Sequence, residues 1–269
     1  MSFRTIMRGG GDLGSGVALR LWRAGWQVLI TETAQPMVVR RSVAFAQAVF
    51  TGEVTVEGVV ARRISNPAEA EQVFEHHAIP VLIDPTFESR KVFSPPVVVD
   101  ARMMKRPSDL NCSIAPLVIG LGPGFQVGRD CHAVVETNRG PFLGRVYWQG
   151  EAESDTGVPG KVGTHESDRV LRAPAAGVFH AKVDIGDIVD GGQLIGIVAG
   201  QEVRAPFKGL VRGLLYSGLS VEAGAKIGDI DPRLDPRLCS LVSEKALAIA
   251  GGVLEAIVSY PPLRPHLFV

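Results

Sequence analysis

Three glycines near the start of the chain could do chemistry by their backbone alone. In Gly9-Gly10-Gly11-Asp12-Leu13-Gly14, positions 9, 11 and 14 match the pattern G-x-G-x-x-G. Such a loop turns tightly, lets an anion approach the backbone, and aims the unpaired N–H groups of a helix start at that anion. Glu32 lies 21 residues after Gly11, where a carboxylate grips a ribose hydroxyl in a dinucleotide site. A carboxylate at Asp12 is unfavourable beside a phosphate unless Arg8 or a metal neutralises it. A γ-phosphate clamp is excluded, because Ser15 and Gly16 stand where Lys and Ser/Thr are required. The competing expectation is a turn that serves the fold and binds nothing.

The neighbouring residues read as the elements such a loop needs. Residues 3–7 form a first strand, 17–24 (VALRLWRA) a helix stopped by Gly25, and 26–32 (WQVLITE) a second strand. Residues 42–50 (SVAFAQAVF) read as a short helix, and 53–57 and 59–64 as a hairpin about Gly58. A helix follows from Pro67 to about His77. Three unalternating apolar runs, 79–84, 97–100 and 117–121, suit strands covered on both faces of a parallel sheet. The fold expected is therefore α/β and Rossmann-like, with ligands bound beyond the carboxyl ends of the strands. That rule gathers Gly9–Gly16, Glu32, Asp84, Asp100-Ala101-Arg102 and Gly122–Gly124 on one rim. Of these, Gly9, Gly10, Gly11, Asp12, Leu13, Gly14, Glu32, Asp100, Arg102, Gly122 and Gly124 are expected to hold the ligand. Arg40 and Arg41 join them as anion partners by charge and position. Each acid alone equally suits a helix cap, and each arginine a solvated surface.

Composition narrows the function classes. The 269 residues are 46% hydrophobic and 21% charged, with 28 basic and 28 acidic residues. Zero net charge gives no general pull toward nucleic acid or an anionic membrane. Three widely spaced cysteines make a disulfide scaffold unfavourable and fit a reducing compartment. Without a signal-peptide pattern or a run of roughly 20 apolar residues, a cytoplasmic location is expected.

Residues 130–137 (DCHAVVET) read as a strand whose partner is 143–148. Alternation sends Cys131 and His132 to opposite faces, so they do not share a metal, and no metal site is expected. His132 and Glu136 share a face about 7 Å apart, either as a carboxylate–imidazole pair or as a polar strand surface. His76 and His77 suit a helix end. Residues 150–167 read as a linker.

Beyond it lies an internal repeat. Arg172-Ala173-Pro174-x-x-Gly177 recurs as Arg204-Ala205-Pro206-x-x-Gly209, an offset of 32 residues. The same offset relates Gly186 to Gly218, Val189 to Val221, Gly192 to Gly224, Ile195 to Ile227 and Gly196 to Gly228. Two stacked copies of one supersecondary unit make a small β sandwich or flattened barrel. The doubled A-P-x-x-G … G-D-x-V-x-x-G-Q-x-I pattern resembles the biotinyl/lipoyl carrier fold, the barrel-sandwich hybrid. Its tip here, Val198-Ala199-Gly200-Gln201-Glu202, has no lysine, so neither biotin nor lipoate can be attached there. The expected division is 1–125 Rossmann-like, 126–166 hairpin and linker, 167–234 barrel sandwich, and 235–269 a terminal helix. That helix, 238–259, is apolar on most of its length and must be buried on the domains or against a second copy in a homo-oligomer.

The motifs taken together, R-G-G-G-D-L-x-S-G, I-T-E-x-x-Q-P-x-V-V-R-R, V-D-A-R-M, G-L-G-P-G-F, V-x-E-T-N-R-G and K-I-G-D-I-D-P-R, resemble the accessory family of selenium-dependent molybdenum hydroxylases. The resemblance covers nearly the whole chain. It implies maturation of, or cofactor supply to, a molybdenum hydroxylase apoenzyme, with a molybdopterin-type or other phosphate-bearing cofactor at the glycine loop. It transfers no catalytic residue. Two other readings stay open: an NAD-dependent oxidoreductase, for which Glu32 favours NAD over NADP and His132 is the one proton donor in view, and a ligand-free scaffold that docks a partner enzyme.

Overall fold

The computed structural model describes residues 3–104, 109–154 and 168–267. The expected linker lies largely outside the described residues, which resume at Asp168. The chain forms two compact units, one of residues Met1–Pro36, Phe45–Thr156 and Val242–Val269, the other of Met37–Ala44 and Gly157–Leu241.

The first unit is built on one sheet. Its strands are β1 (Arg4–Arg8), β2 (Gln27–Glu32), β3 (Glu53–Val56), β4 (Val59–Ile64), β5 (Ala78–Ile83), β6 (Val97–Asp100), β7 (Leu117–Leu121), β8 (Ala133–Val135) and β9 (Val146–Tyr147). They lie in the order β3-β4-β5-β2-β1-β6-β7-β8-β9. From β4 to β8 every neighbour is parallel, and an antiparallel strand closes each edge. The central runs are unalternating because both faces are covered: Val97, Val98, Val99, Leu117, Val118 and Ile119 are all fully buried. The chain runs from β1 to β2, goes to the sheet edge as β3, steps back through β4 to β5 beside β2, then crosses to β1's other side as β6. Ligands of open α/β sheets bind at such a reversal, beyond the carboxyl ends of the two strands that flank it, here β1 and β6.

Helix α1 (Asp12–Arg23) follows β1 and begins five residues earlier than expected. Gly14, Ser15 and Gly16 are helical rather than part of the loop. The expected helix over 42–50 is replaced by two 3-10 turns, Arg41–Val43 and Phe45–Gln47, and the single turn α2 (Ala48–Thr51). The Phe45 N–H donates to Ser15 Oγ at 2.7 Å and the Ala46 N–H to the Gly10 carbonyl at 2.8 Å. Both amides are thereby drawn out of a helical ladder. The remaining short helices of this stretch are α3 (Ala70–Glu75) and α4 (Arg90–Phe93).

The second unit turns the repeat into two antiparallel sheets. Its strands are β10 (Val170–Arg172), β11 (Gly177–Ala181), β12 (Ile188–Val189), β13 (Leu194–Val198), β14 (Gln201–Arg204), β15 (Gly209–Leu214), β16 (Ser220–Val221) and β17 (Lys226–Asp231). One sheet is β10-β17-β15-β12 and the other β14-β13-β11-β16. The 32-residue offset carries β10, β11, β12 and β13 onto β14, β15, β16 and β17. Each sheet therefore takes two strands from each copy, and neither copy completes a sheet by itself. The hydrogen bonds repeat with the strands: Arg172 donates to the Gly224 carbonyl at 2.9 Å, and Arg204 to the Gly192 carbonyl at 2.7 Å. Ala199 and Gly200, both at positive φ, make the tight turn between β13 and β14.

The turn α5 (Arg237–Ser240) ends this unit, and α6 (Glu244–Ser259) returns to the first. The single helix expected over 238–259 is thus two, because Ser243 caps the second by accepting the Ala246 N–H at 3.2 Å. Helix α6 packs on α1. A Cβ at Gly16 would lie 2.7 Å from the Ala246 Cβ, so glycine there sets how closely the helices approach. Ala246, Ile249, Ala250, Val253, Ala256 and Ile257 are fully buried within the chain.

Candidate functional site

The glycine loop is short and tied to its surroundings. Gly9 sits at φ +96°, and a Cβ there would stand 3.2 Å from the Arg102 backbone nitrogen. Gly14 lies over the same turn, where a Cβ would fall 2.1 Å from the Gly9 carbonyl oxygen. The Gly9 N–H goes to the Thr31 carbonyl at 2.9 Å. The Gly10 N–H goes to Glu32 Oε1 at 2.7 Å, while Glu32 Oε2 takes the Thr33 N–H at 2.9 Å. Burial pushes the Glu32 carboxyl up, and the two amides pull it back in part. Gly11 is the N-cap of α1 and has no side chain to cap it. The amides of Gly11 and Leu13 have no hydrogen-bond partner among the described residues, and Gly11, Asp12 and Leu13 are half-exposed. What remains open for an anion is the first turn of α1 rather than the whole loop.

A charge cluster lies on the same sheet edge, at the ends of β1 and β6. Arg8 closes β1 and is 3% exposed. Its guanidinium stacks on the Phe87 ring, 4.4 Å from the centroid. Asp100 closes β6, is fully buried, and holds Arg102 through Nε at 3.0 and 3.1 Å and through a second nitrogen at 2.6 Å. Both arginines then converge on Asp109. Arg8 donates to its two oxygens at 2.9 and 3.1 Å, and Arg102 at 2.5 and 3.3 Å. The Asp109 side chain is nevertheless 56% exposed. The hydrogen bonds from Arg102, then those from Arg8, hold its carboxyl far below the ordinary carboxylate range. Burial disfavours the Arg102 charge, but Asp100 and Asp109 outweigh it and push that guanidinium up.

The residues expected on the rim are brought together in part. Gly9 to Gly14, Glu32, Asp100 and Arg102 share the edge about β1. Gly122 and Gly124, at φ +73° and +98°, shape the turn after β7. A Cβ at Gly122 would meet Thr137 Oγ1 at 2.3 Å, which accounts for glycine by packing. Asp84 accepts the Glu88 and Ser89 N–H groups at 3.1 and 2.8 Å, ahead of α4. Arg40 and Arg41 fall in the second unit. Arg40 donates to the Leu238 and Leu241 carbonyls at 3.2 and 2.8 Å, and Arg41 to the Leu214 carbonyl at 2.6 Å.

His132 and Glu136 are each engaged with backbone. Glu136 accepts the N–H groups of Thr137, Asn138 and Glu153 at 2.7, 2.7 and 2.8 Å. His132 Nδ1 accepts the Val118 N–H at 3.0 Å. Among the described residues no group of three His, Cys, Asp or Glu could hold a metal ion, and no helix is long and apolar enough to cross a membrane. Sequence reasoning missed Asp109 and gave Arg8 only the task of neutralising Asp12. The available signal was the position of Arg8, last in a strand that leads into a glycine turn.

No family model matches the chain. It is 50% identical over 253 residues to the uncharacterized protein YqeB of Escherichia coli K12, which covers 94% of this chain and 47% of that protein. The chain thus spans about half the length of that curated relative. Among solved structures, it is 12% identical to an aspartoacylase family protein from Mesorhizobium loti, covering 85% of this chain and 84% of that one, with a TM-score of 0.26. It is 15% identical to the product-bound ectoine utilization protein EutE (DoeB) from Ruegeria pomeroyi, over 79% and 61%, TM-score 0.24. It is 10% identical to a succinylglutamate desuccinylase/aspartoacylase from Rhodobacter sphaeroides, over 85% of each chain, TM-score 0.27. So low a structural score ties neither the fold nor the chemistry of this chain to theirs.

These findings correct the family expectation. The relative is uncharacterized, and the solved structures are of aspartoacylase-type and ectoine utilization proteins. They give no support to a molybdenum hydroxylase accessory family. The maturation role, the selenium association, the molybdopterin-type cofactor and the apoenzyme partner do not stand, nor does a scaffold that docks such an enzyme. The NAD-dependent oxidoreductase reading falls with them. It also loses its physical support, since the Glu32 oxygens expected to grip a ribose are taken by the amides of Gly10 and Thr33.

Proposed function

We propose that the first unit binds a small molecule through its anionic group, at the edge where β1 and β6 diverge. The observation that carries this reading is the convergence of two guanidinium groups, Arg8 and Arg102, on a single carboxylate-sized point facing solvent. A buried arginine is costly unless paired, so a fold that keeps Arg8 at 3% exposure keeps it for an anion. Planar forks favour an acceptor with two oxygens, such as a carboxylate or a phosphate. Asp100 positions Arg102 and has its oxygens spent in doing so. The open first turn of α1, with Gly11 and Leu13, adds a second donor set and the positive end of a helix dipole.

The strand order and the G-x-G-x-x-G start support a Rossmann-like reading of this unit. The two four-stranded sheets, each drawn from both repeats, support a biotinyl/lipoyl-like barrel sandwich for the second. Its Ala199-Gly200 turn has no lysine to carry biotin or lipoate.

Thermal unfolding in the presence of inorganic phosphate or malonate tests the binding reading. A ligand held only by the folded chain raises the melting temperature, by RT ln(1 + [L]/Kd) in free energy. Wild-type protein should shift with one of these anions, and Arg102→Ala should lose the shift at equal ionic strength. An equal shift in Arg102→Ala would refute the assignment.

A further inference from the structure

We infer that Asp109 is an internal occupant of this anion site, and that a ligand binds by exchanging its own anionic group for the Asp109 carboxylate. The inference rests on the site reading above and adds how the site is regulated. Both arginines and Asp100 are built in, whereas Asp109 is not. Arg8 and Arg102 are 3% and 22% exposed, against 56% for Asp109. Each arginine has support that does not depend on Asp109. The Phe87 ring lies under Arg8, and Asp100 lies 3.8 Å from Arg8 and binds Arg102 directly. Both guanidinium groups would therefore keep their places when Asp109 leaves.

The charges and the donors agree with exchange. Asp100 offsets one of the two guanidinium charges and Asp109 the other. Withdrawing Asp109 leaves one net positive charge, a match for one carboxylate or a singly charged phosphate. Each Asp109 oxygen takes one N–H from each arginine, so the vacated position offers four donors to two oxygens of the incoming group. The site never has to stand empty with a buried arginine unpaired. A tethered carboxylate competes at an effective concentration on the order of mM, so it sets a threshold that weak anions do not pass.

Calorimetric titration of the full chain with inorganic phosphate and with malonate, at fixed ionic strength, tests this. Asp109→Ala and Asp109→Asn should bind the preferred anion at least tenfold more tightly than wild type, and Arg102→Ala in the Asp109→Ala background should abolish binding. Preference for malonate assigns a carboxylate ligand, and preference for phosphate a phosphorylated one. Asp109→Asn keeps the side-chain shape and carries the test if Asp109→Ala unfolds. Equal or weaker binding in both Asp109 variants, with wild type still binding, would overturn the internal occupant and leave the anion site standing. No binding of either anion by wild type or by folded Asp109 variants would overturn the site itself.

Discussion

Each unit carries a cluster of arginines and aspartates, and the two clusters differ in whether the acid that bridges the arginines is exposed or buried. In the first, Arg8 is buried while its acid Asp109 is more than half exposed. In the second, the acids are buried: Asp229 and Asp231, both on β17, are 4% and 1% exposed, and Arg169 is buried beside Asp229. Asp229 pairs with Arg169, and Asp231 takes the Arg233 N–H at 3.0 Å and its guanidinium at 2.9 and 2.6 Å, with Arg212 3.7 Å away. Burial works against the Asp231 charge, but these Arg233 bonds, with Arg212 behind them, hold its carboxyl below the usual range. A buried acid fixed to a strand cannot leave its arginines, so the second cluster is part of the fold. An exposed acid over buried arginines can leave, so the first can exchange.

The largest effect should come from breaking the fixed cluster. Asp231→Ala removes a buried carboxylate and leaves Arg212 and Arg233 without it, a loss on the order of 3–5 kcal/mol. Urea unfolding measures it, and a loss below about 1 kcal/mol would erase the distinction between the clusters.

Asp109→Ala should cost less, about 1 kcal/mol, because Asp100 still lies 3.8 Å from Arg8 and binds Arg102, so neither guanidinium loses its last carboxylate. Salt sharpens the contrast. Raising the ionic strength to about 1 M shortens the Debye length to roughly 3 Å, which should shrink the Asp109→Ala deficit and leave the Asp231→Ala deficit nearly unchanged. Equal salt sensitivity of the two deficits would count against the comparison.

The difference between the clusters was only partly legible beforehand. The 32-residue offset carries β-strand positions directly, so the pairing of β10 to β13 with β14 to β17 could be read from glycines and prolines alone. The parallel strands were legible for a related reason, since burial on both faces writes unbroken apolar runs such as 97–99. The glycine loop was legible, but its length was not: Gly14 and Gly16 are there for close packing inside α1, which G-x-G-x-x-G does not distinguish from a longer loop. Nothing in the sequence gave Asp109 a partner, because it meets Arg8 from 101 residues away, outside any period. Arg40 and Arg41 look like ligand arginines because charge is visible and burial is not. Their carbonyl partners come from a distant stretch, near Leu238 and Leu214.

Acid titration tests the first cluster by itself, with a smaller effect. The Asp109 carboxyl is held below its ordinary value of 3.8 in the folded chain. A depressed carboxyl contributes stability that is present above the unfolded value and lost as pH falls through the folded one. Wild type should therefore lose stability below about pH 4 more steeply than Asp109→Asn. Parallel curves for the two proteins between about pH 4 and 2 would show that the arginines do not hold Asp109 in solution.

The smallest effect should come from His132, a titratable group that, like Asp231, is spent on the fold. Its backbone N–H donates to the Val118 carbonyl at 2.8 Å while its Nδ1 accepts the Val118 N–H at 3.0 Å. The neutral ring must then carry its proton on Nε2. Protonating Nδ1 would turn the acceptor into a donor facing another donor, and burial lowers the pKa of the ring from its ordinary 6.5. The charged form is thus the one the fold disfavours. Stability is full above the unfolded pKa and declines as pH falls below it, because the unfolded chain takes up the proton first. His132→Asn places an amide oxygen where Nδ1 stood, accepts the same N–H and does not titrate. Relative to that variant, wild type should weaken as pH drops from 7 through 6.5 toward 5. A constant difference across that range would mean that the His132 ring is free to leave Val118 and take up its proton in solvent.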